Sequence, residues 1–187
     1  SRGLGDVYKR QVVPGWEGNM WVKWIRRLEF GDKPYMTREE TSKYTDLLRD
    51  GKARMFTWVM EAKSVVTSPS PEKPILHKGI QQLRGLAWSG KGKIKRVDVS
   101  LDGGKNWRTA QLHAPIMSKS LVRFTLPFEW SGEELLIQSR AIDETGYVQP
   151  YIQELQKIRG KNSIYHNNSI ATWLVSKSGK VDNVRLG

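Results

Sequence analysis

The chain contains no cysteine. This absence excludes disulfide bonds, cysteine-based metal sites and cysteine nucleophiles within the given sequence. Histidine is scarce as well, and His77, His113 and His166 are too scattered to form a pair with zinc-ligand spacing. No stretch approaches the roughly 18 consecutive apolar residues that a transmembrane helix requires. The sequence therefore shows neither a metal-ligand motif nor a membrane-spanning segment.

Acidic residues are few compared with basic ones. The 187 residues include 31 lysines and arginines against 19 aspartates and glutamates, which gives a formal net charge of +12. Such a basic surface suits nucleic acid, an acidic electron-transfer protein or a sulfur oxyanion equally. No long run of like charges marks a nucleic-acid-binding tail. Eight tryptophans and six tyrosines supply apolar bulk, so we expect one domain, or one domain plus part of another.

The first 55 residues divide into stretches of different character. We interpret residues 1–11 as an artefact or non-native leader, with a genuine polar loop as the alternative, and we expect the natural chain to begin upstream. Residues 12–55 read as a loop, a strand and a long loop. Alternation over Trp21–Phe30 predicts a strand whose even-numbered residues form the more apolar face. The sequence Thr37-Arg38-Glu39-Glu40 is suited to opening a short helical turn within the polar loop.

Short strands and turn signals dominate the chain from Met55 onward. The predicted strands are Arg54–Met60, Ile80–Trp88, Lys93–Leu101, Trp107–Leu112, Leu121–Leu126, Leu135–Ala141, Ala171–Val175 and Val181–Leu186. Asp102-Gly103-Gly104 predicts a hairpin turn, because glycine tolerates the positive φ that such turns need, and Ser178-Gly179-Lys180 suggests another. With no amphipathic helix evident, the pattern predicts a mainly β fold, an immunoglobulin-like antiparallel β-sandwich.

Several conspicuous side chains are interpreted as structural. Trp88, Trp107 and Trp130 are expected in the sandwich core rather than on a stacking platform. Asp98 and Asp143 are expected as turn or strand-edge carboxylates, since no carboxylate pair is spaced for acid–base catalysis.

Five sequence motifs are shared with one enzyme family. They are Val13-Pro14-Gly15-x-x-Gly18 leading into Val22-Lys23-Trp24; Gly85-x-Ala87-Trp88-Ser89-Gly90; the block from Arg96 through Asp102-Gly103-Gly104 to Trp107; Arg140-Ala141-Ile142-Asp143 with Gly146 to Pro150; and Arg159-Gly160. In this order the chain resembles the C-terminal part of the sulfite oxidase family of molybdenum enzymes. The Thr37–Asp46 loop and the Asn162–Asn167 segment resemble its sulfane dehydrogenase branch, which serves the thiosulfate-oxidising Sox system, more than animal or plant sulfite oxidases.

The resemblance implies an α/β domain that holds molybdenum through a molybdopterin cofactor, followed by a sandwich that pairs two subunits into a homodimer. Residues 12–55 would be the C-terminal remnant of the molybdopterin domain, and residues 56–187 the immunoglobulin-like dimerisation domain. The metal-ligating cysteine would lie in the N-terminal part that this sequence lacks, so the fragment alone would be inactive. The family further implies a periplasmic location, a c-type cytochrome as electron acceptor, and a sulfur-carrier protein or sulfite as the source of substrate.

The resemblance also assigns roles to individual residues. Trp21, Val22 and Lys23 match the segment that lines the pterin phosphate, where the Lys23 ammonium suits the anion. Arg159 matches the arginine that holds the sulfur oxyanion, and a guanidinium donates two parallel hydrogen bonds to such a group. Gly160 would permit the backbone bend that aims Arg159. For His166, a loop histidine bonded to backbone is favoured over a pocket-lining role.

Two other interpretations stay open. A sulfite dehydrogenase of the same family differs only in substrate. A stand-alone basic β-sandwich, serving as a module that binds nucleic acid or an acidic polymer or as a purely structural dimerisation module, belongs to another class. Steep weakening with salt would indicate the phosphate-binding version of that module.

Overall fold

Two groups of residues fold as separate units in the computed structural model of the chain, which describes residues 10–163 and 165–186. The first unit contains the chain up to Met60 together with Gln153–Asn167, and the second contains Glu61–Ile152 and Asn168–Gly187. Most of the interpreted leader, residues 1–9, lies outside the described residues. Among the described residues, no helix is both long and apolar enough to cross a membrane.

The first unit has little regular structure. A 3-10 turn covers Gly18–Met20, helix α1 covers Arg38–Lys43, and strands β1 (Thr45–Leu47) and β2 (Ala53–Met55) form an antiparallel hairpin. The predicted helical turn is thus confirmed. Thr37 precedes α1, and Glu39 and Glu40 lie in its first turn, where their negative charge interacts favourably with the positive end of the helix dipole.

The expected strand over Trp21–Phe30 is wrong. None of these residues has a regular partner strand, and Trp24 has φ of +57°, which extended strands do not adopt. The apolar face foreseen there is instead exposed to solvent, with Trp24 58% and Phe30 89% accessible. Alternation of apolar and polar residues leads to a strand only where a neighbouring strand hydrogen-bonds to its backbone and one of its faces is buried.

The second unit is an antiparallel β-sandwich, which confirms the predicted fold class. One sheet has five strands in the order β11-β10-β9-β5-β6, and the other has four in the order β3-β4-β8-β7. The strands are β3 (Lys63–Ser68), β4 (Gly79–Trp88), β5 (Ile94–Ser100), β6 (Arg108–Thr109), β7 (Gln111–His113), β8 (Val122–Trp130), β9 (Leu135–Asp143), β10 (Thr172–Val175) and β11 (Val181–Val184).

Alternating apolar residues of both sheets form the core. Along β8 every second residue is buried, from Val122 through Phe124 to Trp130, and Ile137 of β9 is fully buried. Trp130 therefore confirms the core expectation, whereas Trp88 and Trp107 are only half-buried. The Arg140 guanidinium carbon lies 4.2 Å from the centroid of the Trp107 ring, a cation–π contact at the sheet surface.

Turn chemistry places most of the strands as the sequence predicts, with three differences. The predicted strand Arg54–Met60 continues only to Met55, where β2 ends. Gly103 and Gly104 have φ of +75° and +95°, and Asp102 accepts hydrogen bonds from Asn106, which stabilises the β5–β6 hairpin. The predicted strand Trp107–Leu112, however, is divided: β6 pairs with β5 in one sheet and β7 with β8 in the other. Strand β3 was not predicted at all.

A further difference is helix α2, which covers Ile152–Arg159 where no amphipathic helix was expected. It has eight residues and buries only Leu155 and Arg159. Two turns of helix are too short to show a sustained 3.6-residue hydrophobic period in the sequence.

Two buried carboxylates of the sandwich are structural, as expected. Asp98 on β5 forms salt bridges with Arg96 at 3.0 Å and with Arg140 at 3.3 Å. Asp143 at the end of β9 accepts hydrogen bonds from Ser89 at 2.7 Å and from the backbone N–H of Thr145 at 3.0 Å. Both carboxylates have their partners within the sandwich, so neither is offered as a catalytic group.

We predict that Gly85→Ala destabilises the sandwich by about 1–3 kcal/mol, the usual cost of overpacking. A Cβ at Gly85 would lie 2.1 Å from the Phe124 ring and 2.5 Å from the Val65 carbonyl oxygen. Gly18→Ala is the control, since nothing lies within 4 Å of its Cβ position. Urea unfolding of both variants measures the effect, and equal stability of the two would contradict the packing assigned to Phe124.

Candidate functional site

Both groups of predicted site residues lie in the first unit. The loop that leads to Trp21 is held by backbone pairing with a distant segment: Glu17 N–H donates to the Trp58 carbonyl at 2.6 Å, and Met60 N–H donates to the Gly15 carbonyl at 2.9 Å. The loop is therefore fixed against residues 58–60 rather than free in solution.

An aromatic stack positions Trp21. The Trp58 ring lies between those of Trp16 and Phe56, with centroid distances of 5.5 and 4.7 Å and interplanar angles near parallel. The indole N–H of Trp21 donates to the Trp16 carbonyl at 3.2 Å. Stacked rings of this kind stabilise the structure by more than their buried area accounts for. Trp21 is therefore bonded to a segment that the stack holds in place.

The next two predicted residues are open to solvent. The Val22 carbonyl accepts the Gln11 N–H at 2.8 Å, while the Val22 side chain is exposed. Lys23 is exposed too, and it makes no salt bridge with any described residue. An exposed ammonium without a carboxylate partner is accessible to an anionic ligand.

Arg159 has a different environment, because it is buried and paired. It is the last residue of α2 and 4% exposed, and its Nη1 donates to Asp46 Oδ2 at 2.8 Å. Asp46, in the middle of β1, is 3% exposed. No sequence signal identifies Asp46, since its partner lies 113 residues away and no local pattern links the two.

Gly160 fixes the direction of the chain immediately after Arg159. Its φ is +78°, a conformation that favours glycine, and a Cβ there would lie 2.1 Å from the Leu47 carbonyl oxygen. Its N–H donates to the Gln156 carbonyl at 3.0 Å, which closes the helix end. Glycine is thus required both by the backbone conformation and by the close approach to β1.

Two side chains in the segment after Gly160, those of Tyr165 and His166, contact earlier parts of the first unit. The His166 ring is buried, and its Nδ1 lies 2.8 Å from Glu17 Oε1, so a carboxylate rather than the favoured backbone group is its partner at this atom. The rings of Tyr44 and Tyr165 meet at 5.3 Å. Burial, reinforced by the negative charge of Glu17, raises the pKa of the Tyr44 phenol. Tyr44 therefore stays protonated as a hydrogen-bond donor at neutral pH.

Two buried polar groups near the loop are unsatisfied. The side-chain amide of Asn19 and the indole N–H of Trp58 have no hydrogen-bond partner among the described residues. Native proteins rarely leave such groups unpaired.

Among the described residues, Lys23 would suit the phosphate of a molybdopterin cofactor, and the sequence holds no cysteine thiolate that would ligate the metal. Within residues 10–163 and 165–186, no cluster of three His, Asp or Glu is placed to hold a metal.

Comparison with known proteins points to one family. The profile of the Mo-co oxidoreductase dimerisation domain matches residues 54–173. The sulfane dehydrogenase SoxCD structure from Paracoccus pantotrophus is 62% identical with a TM-score of 0.91, over 95% of this chain and 46% of that chain.

More distant relatives include two other kinds of enzyme. Sulfite oxidase of Gallus gallus is 34% identical over 155 residues, covering 75% of this chain and 33% of the relative. NADH nitrate reductase 2 of Nicotiana tabacum is 30% identical over 174 residues, covering 75% of this chain and 18% of the relative. The chain thus spans less than half the length of each relative.

We predict that Asp46→Ala costs about 3–5 kcal/mol of folding stability, because it leaves the Arg159 guanidinium buried without its carboxylate. Arg159→Met combined with Asp46→Leu should cost less than Asp46→Ala alone, since an apolar pair leaves no stranded charge. Asp50→Ala removes the partner of the exposed Lys52 and should change stability by about 0.5 kcal/mol or less. Denaturant unfolding distinguishes the three; a loss for Asp46→Ala no larger than for Asp50→Ala would refute the buried pair.

Proposed function

The chain belongs to the family of molybdenum-cofactor oxidoreductases that carry this dimerisation domain, and on that premise we propose that it is the C-terminal part of a sulfane dehydrogenase of the Sox type. The observation that carries the proposal is 62% identity over 95% of the chain to a solved sulfane dehydrogenase. The second observation is local: the residue matched to substrate binding, Arg159, is fixed by a buried carboxylate and by the Gly160 bend.

In this proposal Arg159 binds the oxyanion of the sulfur substrate and Asp46 positions it. The ion pair through Nη1 fixes the plane of the Arg159 guanidinium. A side chain held in this way does not have to be ordered when the substrate arrives, which reduces the entropic cost of binding. Asp46 therefore acts through Arg159 rather than on the substrate.

The cofactor contacts proposed for this chain are Trp21, Val22 and Lys23. Lys23 supplies positive charge to the pterin phosphate, and Trp21 is anchored through Trp16 so that the segment keeps its shape. Molybdenum bound to such a cofactor would supply the two-electron redox chemistry that sulfur oxidation requires. Its cysteine ligand would come from the N-terminal domain, so we propose that this chain alone is inactive.

We further propose residues 12–55 as the remnant of the molybdopterin domain and residues 56–187 as an immunoglobulin-like dimerisation domain. An isologous contact between two sandwiches would form the homodimer. The proposed electron acceptor is a c-type cytochrome, the substrate is carried by a sulfur-carrier protein, and the location is periplasmic.

Two alternative functions are supported less well than the sulfane dehydrogenase. A sulfite dehydrogenase fits the same site, and the sulfite oxidase relative at 34% identity favours it less than the sulfane dehydrogenase at 62%. A stand-alone sandwich module would have no need for the exposed apolar side chains of residues 22–30, such as Trp24, Leu28 and Phe30. Apolar groups this exposed are expected where another domain covers them, which supports the fragment.

Arg159→Lys in the full-length enzyme tests the oxyanion role. Lysine keeps the charge beside Asp46 but loses the planar fork, so we expect kcat/KM for the sulfur substrate to fall by about 10- to 100-fold, mainly through KM. Arg54→Lys, at an exposed position, is the control. An unchanged KM in a folded Arg159→Lys variant would remove Arg159 from the substrate site.

Lys23→Ala tests the cofactor contact by a readout other than activity. Loss of the ammonium should lower the cofactor retained by the purified full-length protein after dialysis, with about a tenfold weaker apparent affinity. Lys52→Ala removes an equally exposed cation and should retain cofactor as the unmodified protein does. Equal retention by both variants would place the phosphate elsewhere.

A further inference from the structure

The two sheets of the sandwich differ in how their cations are paired. On the five-stranded sheet, Arg96 and Arg140 both contact Asp98, and Lys180 contacts Asp182 at 3.0 Å. On the four-stranded sheet, Arg84 and Arg123 are exposed and have no carboxylate partner among the described residues. Arg96 and Arg140 thus have a carboxylate partner within the five-stranded sheet, whereas Arg84 and Arg123 have none among the residues that the structure describes.

Strand register brings the two unpaired arginines together. Arg84 on β4 lies opposite Thr125 on β8, and Arg123 lies opposite Leu86, so the two arginines are diagonal neighbours with Cα atoms about 7–8 Å apart. Glu129 is four residues from Thr125 along β8, about 13 Å away, which is too far for an ion pair. Two like charges at this separation repel each other.

The arginines retain most of their hydrogen-bonding capacity. Arg84 Nη2 donates to Gln82 Oε1 at 3.3 Å, which uses one of the five N–H donors of a guanidinium. Beside Arg123, His113 Nε2 is bonded to Thr125 Oγ1 at 2.8 Å, so these neighbours are already occupied with each other. The open donors on this face belong mainly to the arginines.

Half-buried apolar side chains lie on the same outer face. Val65 is opposite Leu86, and Trp88 follows Leu86 by two residues on β4. Arginine and tryptophan are enriched in protein interfaces, where lysine and glutamate are depleted. We call the surface formed by Arg84, Arg123, Leu86, Trp88 and Val65 the arginine face.

We propose that the arginine face is a docking surface for the acidic surface of a different protein. Carboxylates on the partner would supply the counter-charges that the sandwich itself lacks, and the apolar strip would exclude water between them. A nucleic acid is less well matched, because the cations form one compact block rather than a track along a backbone. A second copy of the chain would bring the same two arginines to the contact. This proposal does not depend on the proposed enzymatic function.

Charge reversal in the chain as it stands tests the proposal. Arg84→Glu with Arg123→Glu is compared with Lys95→Glu on β5 and Lys105→Glu in the β5–β6 turn, which change the net charge equally at exposed positions away from the arginine face. The probe is a fluorescent glutamate-rich peptide, and its affinity is measured over a range of salt concentrations. We expect the arginine pair to weaken binding at least about tenfold and to flatten the salt dependence, while the lysine pair changes affinity by less than about threefold.

Three outcomes would overturn the proposal. Equal weakening by both variants would mean that overall charge binds the peptide. Tighter binding of duplex DNA than of the peptide, lost in the arginine variant, would assign the face to nucleic acid. A change in oligomeric state of the arginine variant by analytical ultracentrifugation would assign it to a second copy. If charge reversal prevents folding, Arg84→Gln with Arg123→Gln keeps the surface polar and gives the same comparison.

Discussion

The buried ion pair between Arg159 and Asp46 determines how the first unit is assembled. Each charge loses its hydration on burial, and the contact at 2.8 Å between the two groups offsets that loss. Separation of the end of α2 from β1 would therefore leave the buried Asp46 carboxylate without the Arg159 guanidinium. Gly160 reinforces the constraint, because it packs against the Leu47 carbonyl more closely than any side chain allows. The contacts of Tyr165 and His166 then continue along a segment whose course is already fixed.

The two units bury their apolar side chains to different extents. In the sandwich, alternating residues of both sheets are buried, down to complete burial of Phe124 and Ile137. In the first unit, large apolar side chains of residues 22–30 remain in water, and polar atoms of Asn19 and Trp58 are buried without a hydrogen-bond partner in the part of the chain that the structure describes. Both features raise the free energy of a unit that stands alone. Apolar side chains exposed to this extent are typical of an interaction surface.

Sequence rules succeeded where structure is local. The predicted strand Leu121–Leu126 covers the first half of β8, and the glycines after Asp102 form the predicted turn; both depend on neighbours a few positions away. The rules failed at Trp107–Leu112, where the chain crosses from one sheet to the other within a single apparent strand. They failed again at Trp21–Phe30, because alternation cannot show whether a partner strand exists.

The sequence by itself determined the β-sandwich, its hairpin turns, and the family to which Arg159 and Lys23 were matched, because these follow from short-range periodicity and contiguous motifs. Only the tertiary structure decided that Asp46 neutralises Arg159, that Glu17 meets His166, and that Gln153–Asn167 folds with the first unit. The physical reason is sequence separation. Contacts between residues more than 100 positions apart form when burial makes each group require a partner, and no local pattern records which partner that is.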